Sequence, residues 1–221
     1  MEASRMNLYL FNNNMYKHFF KRLFDIIISM VGIILLIPLT IVLFFVRKYN
    51  HDDDAPIFYE QLRYGKDGKV FRLYKYRSMC INADEILEDY LNKNPEAKKE
   101  YKKYKKLKDD PRVTKSGNFI RKSSMDEMPQ FINIFIGNMT LVGPRPYLPR
   151  ERDDMGKYFD TIVSVKPGLT GLWQVSGRSN ASFEERMKLD KEYINKKSFW
   201  LDTKIFFKTI GKTFLKDSSA F

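Results

Sequence analysis

Arg121-Lys-Ser-Ser-Met-Asp-Glu-Met-Pro-Gln-Phe-Ile-Asn-Ile-Phe-Ile-Gly137, followed by Leu141-Val-Gly-Pro-Arg-Pro146, is the stretch around which the chain is organised. Met128, Phe131, Ile132 and Phe135 recur at helical spacing. Gly137 is placed to end that helix. Ser124 with Glu127 three residues on is a capping-box signature, and Pro129 is tolerated in a first turn. Adjacent carboxylates, Asp126 and Glu127, therefore fall at a helix start, with Arg121 and Lys122 before them and Arg145 after. Two readings stay open here. The acids serve phosphate and Mg²⁺ chemistry, or Glu127 is only a cap.

The chain has 221 residues, enough for one good-sized domain with an appendage. Lys and Arg number 39 against 27 Asp and Glu, a net charge of +12. Such a balance points to anionic partners: phosphorylated substrates, acidic lipid or nucleic acid. Cys80 is the single cysteine, so no intrachain disulfide forms, and it reads as a small buried hydrophobe.

From Ile26 to Val46 no residue is charged. As a helix this run is about 31 Å long, roughly one hydrocarbon core. Pro38 stands near its middle, and basic residues flank both ends: Lys17, Lys21 and Arg22 before, Arg47 and Lys48 after. On residues alone a Pro-kinked span and a helix that breaks at Pro38 and leaves by the same face are both open.

His51-Asp-Asp-Asp-Ala-Pro56 reads as a solvated linker. Ile57–Tyr64, a Gly65–Gly68 turn and Lys69–Met79 form a hairpin candidate, with Lys75 and Arg77 on one face. Residues 83–108 read as a helical, lysine-dense segment with Tyr101, Tyr104 and Leu107 near one face. In Lys166–Arg178 three glycines permit close backbone approach to a ligand, and Lys166 and Arg178 are phosphate candidates. Trp173 suits a base or the core. Phe183–Ile194 reads as helix. Phe199–Leu215, with Lys204, Lys208 and Lys212 at four-residue steps, reads either as an interfacial helix or as one packed on the core.

From Lys21 onward these pieces, in order, resemble the bacterial sugar transferases, the monotopic polyprenyl-phosphate phosphoglycosyl transferases. The matching motifs are KRLFD, FRLYKYRSM, DPRVTKSG, RKSSMDEMPQ, GNMTLVGPRP and KPGLTGLWQVSGRSN. The resemblance implies transfer of a sugar 1-phosphate from a UDP-sugar to undecaprenyl phosphate, with release of UMP, as the first membrane step of exopolysaccharide or O-antigen synthesis. It places the catalytic pair on Asp126 and Glu127, which also hold Mg²⁺, with Asp126 as nucleophile. Substrate and phosphate ligands are then expected at Lys75, Arg77, Arg112, Arg121, Arg145, Lys166, Gln174 and Arg178. It favours the re-entrant helix broken at Pro38. The expected architecture is α+β, mostly helical with a small hairpin: a flexible 1–16, a re-entrant membrane helix over 17–50, and a cytosolic catalytic domain over 51–221. Interfacial helices meet the anionic inner leaflet of a bacterial cytoplasmic membrane. No nucleic acid partner is expected, and a homodimer is compatible with the sequence. Where relatives carry Gly-Asp-Met this chain has Gly137-Asn138-Met139, and Asn138 is assigned no role. Two alternatives remain: direct attack by the lipid phosphate with Asp126 as a metal ligand only, and a basic, membrane-anchored lipid- or nucleic-acid-binding protein.

Overall fold

The computed structural model describes residues 19–176 and 181–214. The expected flexible 1–16 therefore lies outside the described residues. The fold is mostly helical with small sheets. Helix α1 spans Lys21–Tyr49, and Arg47 and Lys48 in its last turn complement the helix dipole. Strands β1 (Phe58–Tyr64) and β2 (Val70–Tyr76) form the expected antiparallel hairpin, with Tyr59 opposite Lys75. The helical segment after it is two helices, α2 (Ala83–Lys93) and α3 (Pro95–Tyr104), because Pro95 cannot continue α2 and instead starts the next helix. Then follow α4 (Lys115–Lys122), α5 (Gln130–Ile136) and β3 (Thr140–Val142). Short helices α6 (Arg152–Met155) and α7 (Phe159–Val163) precede β4 (Gly168–Thr170) and α8 (Leu172–Val175). Helices α9 (Phe183–Lys196) and α10 (Phe199–Phe214) close the fold.

Strands β3 and β4 pair in parallel, a feature the sequence reading lacked. Gly168 and Gly171 serve this pairing rather than a ligand. A Cβ on Gly168 would lie 2.1 Å from the Gly143 nitrogen, and one on Gly171 would lie 2.3 Å from the Gly143 oxygen. Leu73, Ile134, Met139, Leu141, Val142, Tyr193 and Ile205 form the core around that pair.

Helix α1 runs without interruption through Pro38, so the proline does not end it. Ser29 donates to the Ile26 carbonyl at 3.0 Å, and Thr40 donates to the Leu36 carbonyl at 2.7 Å. One stripe of α1 is buried from end to end: Asp25, Ser29, Gly32, Leu36, Leu43 and Arg47. At Gly32 a Cβ would come within 2.4 Å of the Phe131 ring, so the glycine lets α1 and α5 meet closely. The other faces are apolar and bare, with Ile34 65% and Ile37 66% exposed, which fits membrane association.

Both ends of α1 are tied to the same domain. Lys21 donates to the Val142 carbonyl at 2.8 Å and pairs with Asp202, and Arg22 donates to the carbonyls of Ile134 and Phe135. At the far end Arg47 pairs with Asp53 at 3.0 Å and Asn50 donates to Ser116 at 2.9 Å. The aspartate run after α1 is thus a clasp, not a solvated linker: Asp53 also accepts from the Ile81 amide, and Asp52 from Thr114.

Helix α10 packs on the core through one face, as one of its two sequence readings has it. Ile205 is buried in the core, while Trp200 is 78% and Phe207 64% exposed.

Candidate active site

Helix α4 ends at Lys122, and Ser124 takes a left-handed backbone, φ 54°. Such a conformation in a non-glycine residue costs on the order of 1 kcal/mol and is found where the surroundings enforce it. Here it swings the chain into the tight turn Met125–Glu127, which presents both carboxylates. The expected capping box does not form. Ser124 caps nothing, Pro129 occupies the N-cap position of α5, and the Glu127 carboxylate accepts instead from Lys75 Nζ at 3.0 Å. Asp126 therefore does not sit in the first turn of an α-helix. Asn133 locks α5, and with it the turn, onto the hairpin. Its Oδ1 accepts from the Tyr74 amide at 2.9 Å and its Nδ2 donates to the Arg72 carbonyl at 2.7 Å.

Asp126 is 9% exposed. Burial pushes its pKa up to about 6; the Glu127 charge adds to that, and Lys75 and Arg121 work against it. Burial also opposes ionisation of Glu127, but Lys75 at 3.0 Å, with Arg145 and Arg63 farther away, outweighs it and holds Glu127 below the usual range. The pair therefore splits, one carboxylate firmly ionised and the other more basic than usual.

A cleft of about 2490 Å³ opens over the pair, well beyond the roughly 300–1,000 Å³ of a site for one small ligand. Lys75, Arg77, Arg112, Arg121, Arg145 and Gln174 line it. Two of these are engaged by protein. Arg112 is buried in a two-point pair with Asp110 at 2.6 Å, and Arg77 donates to the Pro56 carbonyl at 3.0 Å. Lys166 lies near Arg22 and Gly137 at the foot of α1, outside the cleft lining. Arg178 lies outside the described residues. Cys80 is half-buried and lines the cleft rather than the core.

Sequence reading missed Arg63 and Arg186. Arg63 is buried and donates to the Pro146 carbonyl at 2.9 Å, bracing the Pro-Arg-Pro turn. Alternation along β1 puts it on the face of Tyr59 and Gln61, which was the available signal. Arg186 falls on the buried stripe Phe183, Met187, Asp190, Tyr193 of α9, where a cation is out of place. Asp190 in turn accepts from the Tyr147 hydroxyl at 2.8 Å and the Arg145 amide at 3.2 Å.

Among the described residues no three His, Cys, Asp or Glu side chains gather as a metal cage. A pair suits Mg²⁺ nonetheless, which takes one or two carboxylates and completes its shell with substrate phosphates and water. The cleft is also apolar along one side: Ile28, Val31, Leu35 and Leu39 of α1 line it together with Phe131, Phe206 and Ile210.

A long apolar helix, consistent with membrane association, thus borders a cationic cleft that holds paired carboxylates. The chain belongs to the bacterial sugar transferase family, whose model matches residues 16–216. It is 43% identical over 211 residues to the UDP-galactose-lipid carrier transferase of Erwinia amylovora, covering 94% of this chain and 44% of that protein. It is 41% identical to the undecaprenyl-phosphate galactose phosphotransferase of Salmonella typhimurium, covering 94% and 44%. To the exopolysaccharide production protein ExoY of Sinorhizobium fredii it is 39% identical, covering 90% and 87%. The chain thus spans less than half the length of the first two relatives.

Proposed function

We propose that this chain transfers a sugar 1-phosphate from a UDP-sugar to undecaprenyl phosphate, releasing UMP and forming undecaprenyl-diphosphate-sugar. One observation carries the reading. A single cleft is lined by the bare apolar residues of α1 and by the carboxylate pair, Asp126 buried and Glu127 partly exposed, with its cations. A polyprenyl phosphate needs both surfaces, and a soluble sugar nucleotide needs the second. The names of the relatives point the same way.

In this mechanism the Asp126 carboxylate attacks the β-phosphorus of the UDP-sugar. A new O–P bond forms, the bond to the UMP oxygen breaks, and a sugar phosphate remains on Asp126. A lipid phosphate oxygen then attacks the same phosphorus and frees the carboxylate. Burial favours the first step, since a poorly solvated carboxylate is a stronger nucleophile and loses its charge at lower cost. Lys75 keeps Glu127 ionised and oriented. Asp126 and Glu127 would hold Mg²⁺, which neutralises diphosphate charge and eases departure of UMP.

The membrane arrangement we propose is monotopic, with α1 entering and leaving by the cytosolic face. The contacts at Lys21–Arg22 and at Arg47–Asn50 support it, because they tie both ends of a helix about 42 Å long to one domain. A straight span would carry one of those polar ends through the bilayer. The test of function is UMP release from a panel of UDP-sugars with purified protein and undecaprenyl phosphate. Stoichiometric UMP and lipid-linked product support the transferase; failure of every UDP-sugar, or release of free sugar, would refute it.

A further inference from the structure

The carboxylate pair and Lys75 account for one phosphoryl group, but the reaction proposed above brings more than one into the cleft. A further cationic group lines the same cleft, extending from Arg63 and Arg145, whose charges reach Glu127, to Arg186. The guanidinium of Arg186 lies 5.1 Å from the centre of the Trp173 ring and that of Arg145 lies 5.9 Å from it. Arg63 and Lys106 line the same region of the cleft. Arg186 is only 4% exposed and Arg63 6%. Burial and then the Arg145 charge depress both guanidiniums, Arg63 to about 9 and Arg186 to about 10. Like charges are thus held together out of water, only partly offset by Glu151, Glu127 and Asp190.

Donors in this group are unspent. Arg186 uses Nε on the Ala181 carbonyl at 3.1 Å, but its Nη2 has no acceptor among the described residues. Trp173 Nε1 and Arg63 Nε are buried without an acceptor as well. The nearby carboxylate, Asp190, spends Oδ2 on Tyr147 and the Arg145 amide; its Oδ1 is also buried without a partner among the described residues and makes no hydrogen bond to Arg186. Buried donors are normally satisfied, so three orphans beside crowded cations mark a place where a ligand supplies the acceptors. Arg and indole N–H groups donate only, which selects an anion with several oxygens.

We propose that Arg186, Trp173 Nε1 and Arg145 form a second phosphate subsite, which holds the phosphoryl group that does not react at Asp126. Its source is either the nucleotide-side phosphate of the sugar nucleotide or the phosphate of the lipid. The subsite rests on the transferase reading. It adds Arg186 and Trp173 as binding residues that orient a substrate against the carboxylate pair.

The test uses the full chain in nanodiscs, with Arg186→Gln, Arg186→Lys and Trp173→Phe. Three quantities are read: Kd for UMP, KM for undecaprenyl phosphate at saturating UDP-sugar, and the ligand-free melting temperature. Arg186→Gln weakens one of the two ligands by about tenfold or more, the loss expected for a charge-assisted hydrogen bond. Arg186→Lys recovers only part of it, and Trp173→Phe weakens the same ligand. The ligand-free melting temperature of Arg186→Gln holds or rises, since a crowded cation is removed. A change confined to UMP assigns the nucleotide phosphate; one confined to KM for the lipid assigns the lipid phosphate. If Trp173→Phe and Arg186→Lys both keep Kd and KM within about twofold of wild type, the subsite is refuted. A wild type that binds UMP but never releases it from any UDP-sugar overturns the transferase reading instead, while the binding comparison still judges the subsite.

Discussion

Replacing Asp190 with Asn removes the most costly charge in the described core. Asp190 is fully buried, and burial raises its pKa from 3.8 to about 7, against the pull of Tyr147, the Arg145 amide and the Arg145 and Arg186 charges. A carboxyl group raised in the fold is protonated there while the unfolded chain has already ionised. Its protonated form therefore favours the fold below about pH 4, and that advantage is lost as pH rises through about 7. At about 1.4 kcal/mol per unit, the full loss is on the order of 4 kcal/mol by pH 8. An Asn Oδ1 can still accept from Tyr147 and the Arg145 amide, but its Nδ2 needs an acceptor, a cost of about 1–2 kcal/mol. The variant is thus expected to match wild type in stability to within about 1 kcal/mol at pH 5 and to be about 2–3 kcal/mol more stable at pH 8. Thermal melts in nanodiscs at pH 5, 6, 7 and 8 read this, at roughly 2–4 °C per kcal/mol for a chain of this size. A stability difference between variant and wild type that does not change with pH, or that changes in the opposite direction, would refute the reasoning.

Three other outcomes follow from the geometry. Gly32→Ala places a methyl group 2.4 Å from the Phe131 ring, so stability falls by about 1–3 kcal/mol and turnover drops with it; an unchanged melting temperature contradicts close α1–α5 packing. Lys75→Met leaves Glu127 without its 3.0 Å partner, and UMP release falls at least about tenfold with little change in melting temperature; wild-type kcat would remove Lys75 from the site. In a Cys80→Ser background, a cysteine at position 12 is protected from an impermeant thiol reagent on intact cells, and labelling from outside would sink the same-face path of α1.

Long periodic elements were legible in the sequence. The apolar run, the hairpin with its Gly65–Gly68 turn and the end of α5 at Gly137 all follow from local pattern. Contacts between distant segments were not. Ser124–Glu127 and Ser182–Glu185 carry one and the same capping signature, yet only the second forms a box. The difference is tertiary: Lys75, from a strand far back in the chain, takes the Glu127 carboxylate. Gly168 and Gly171 read as a ligand loop because their partner, Gly143, lies far back in the chain, just past β3. In the site, the carboxylate pair, Lys75 and Arg145 were legible. Arg186 was hidden because a cation on a helix reads as solvated until the stripe beside it is known to be buried. The position of Lys166 was hidden as well: adjacent in sequence to the glycines, it folds to the foot of α1.

The central claim, that Asp126 carries the sugar phosphate, is tested most directly by one incubation. Purified protein receives UDP-sugar labelled at the β-phosphate, with Mg²⁺ and without undecaprenyl phosphate, and is analysed by peptide mapping. The account predicts one equivalent of UMP, label on the peptide bearing Asp126, discharge of that label when undecaprenyl phosphate is added, and none of this in Asp126→Asn. UMP release that begins only once the lipid phosphate is present, with no labelled protein at any time, would contradict it.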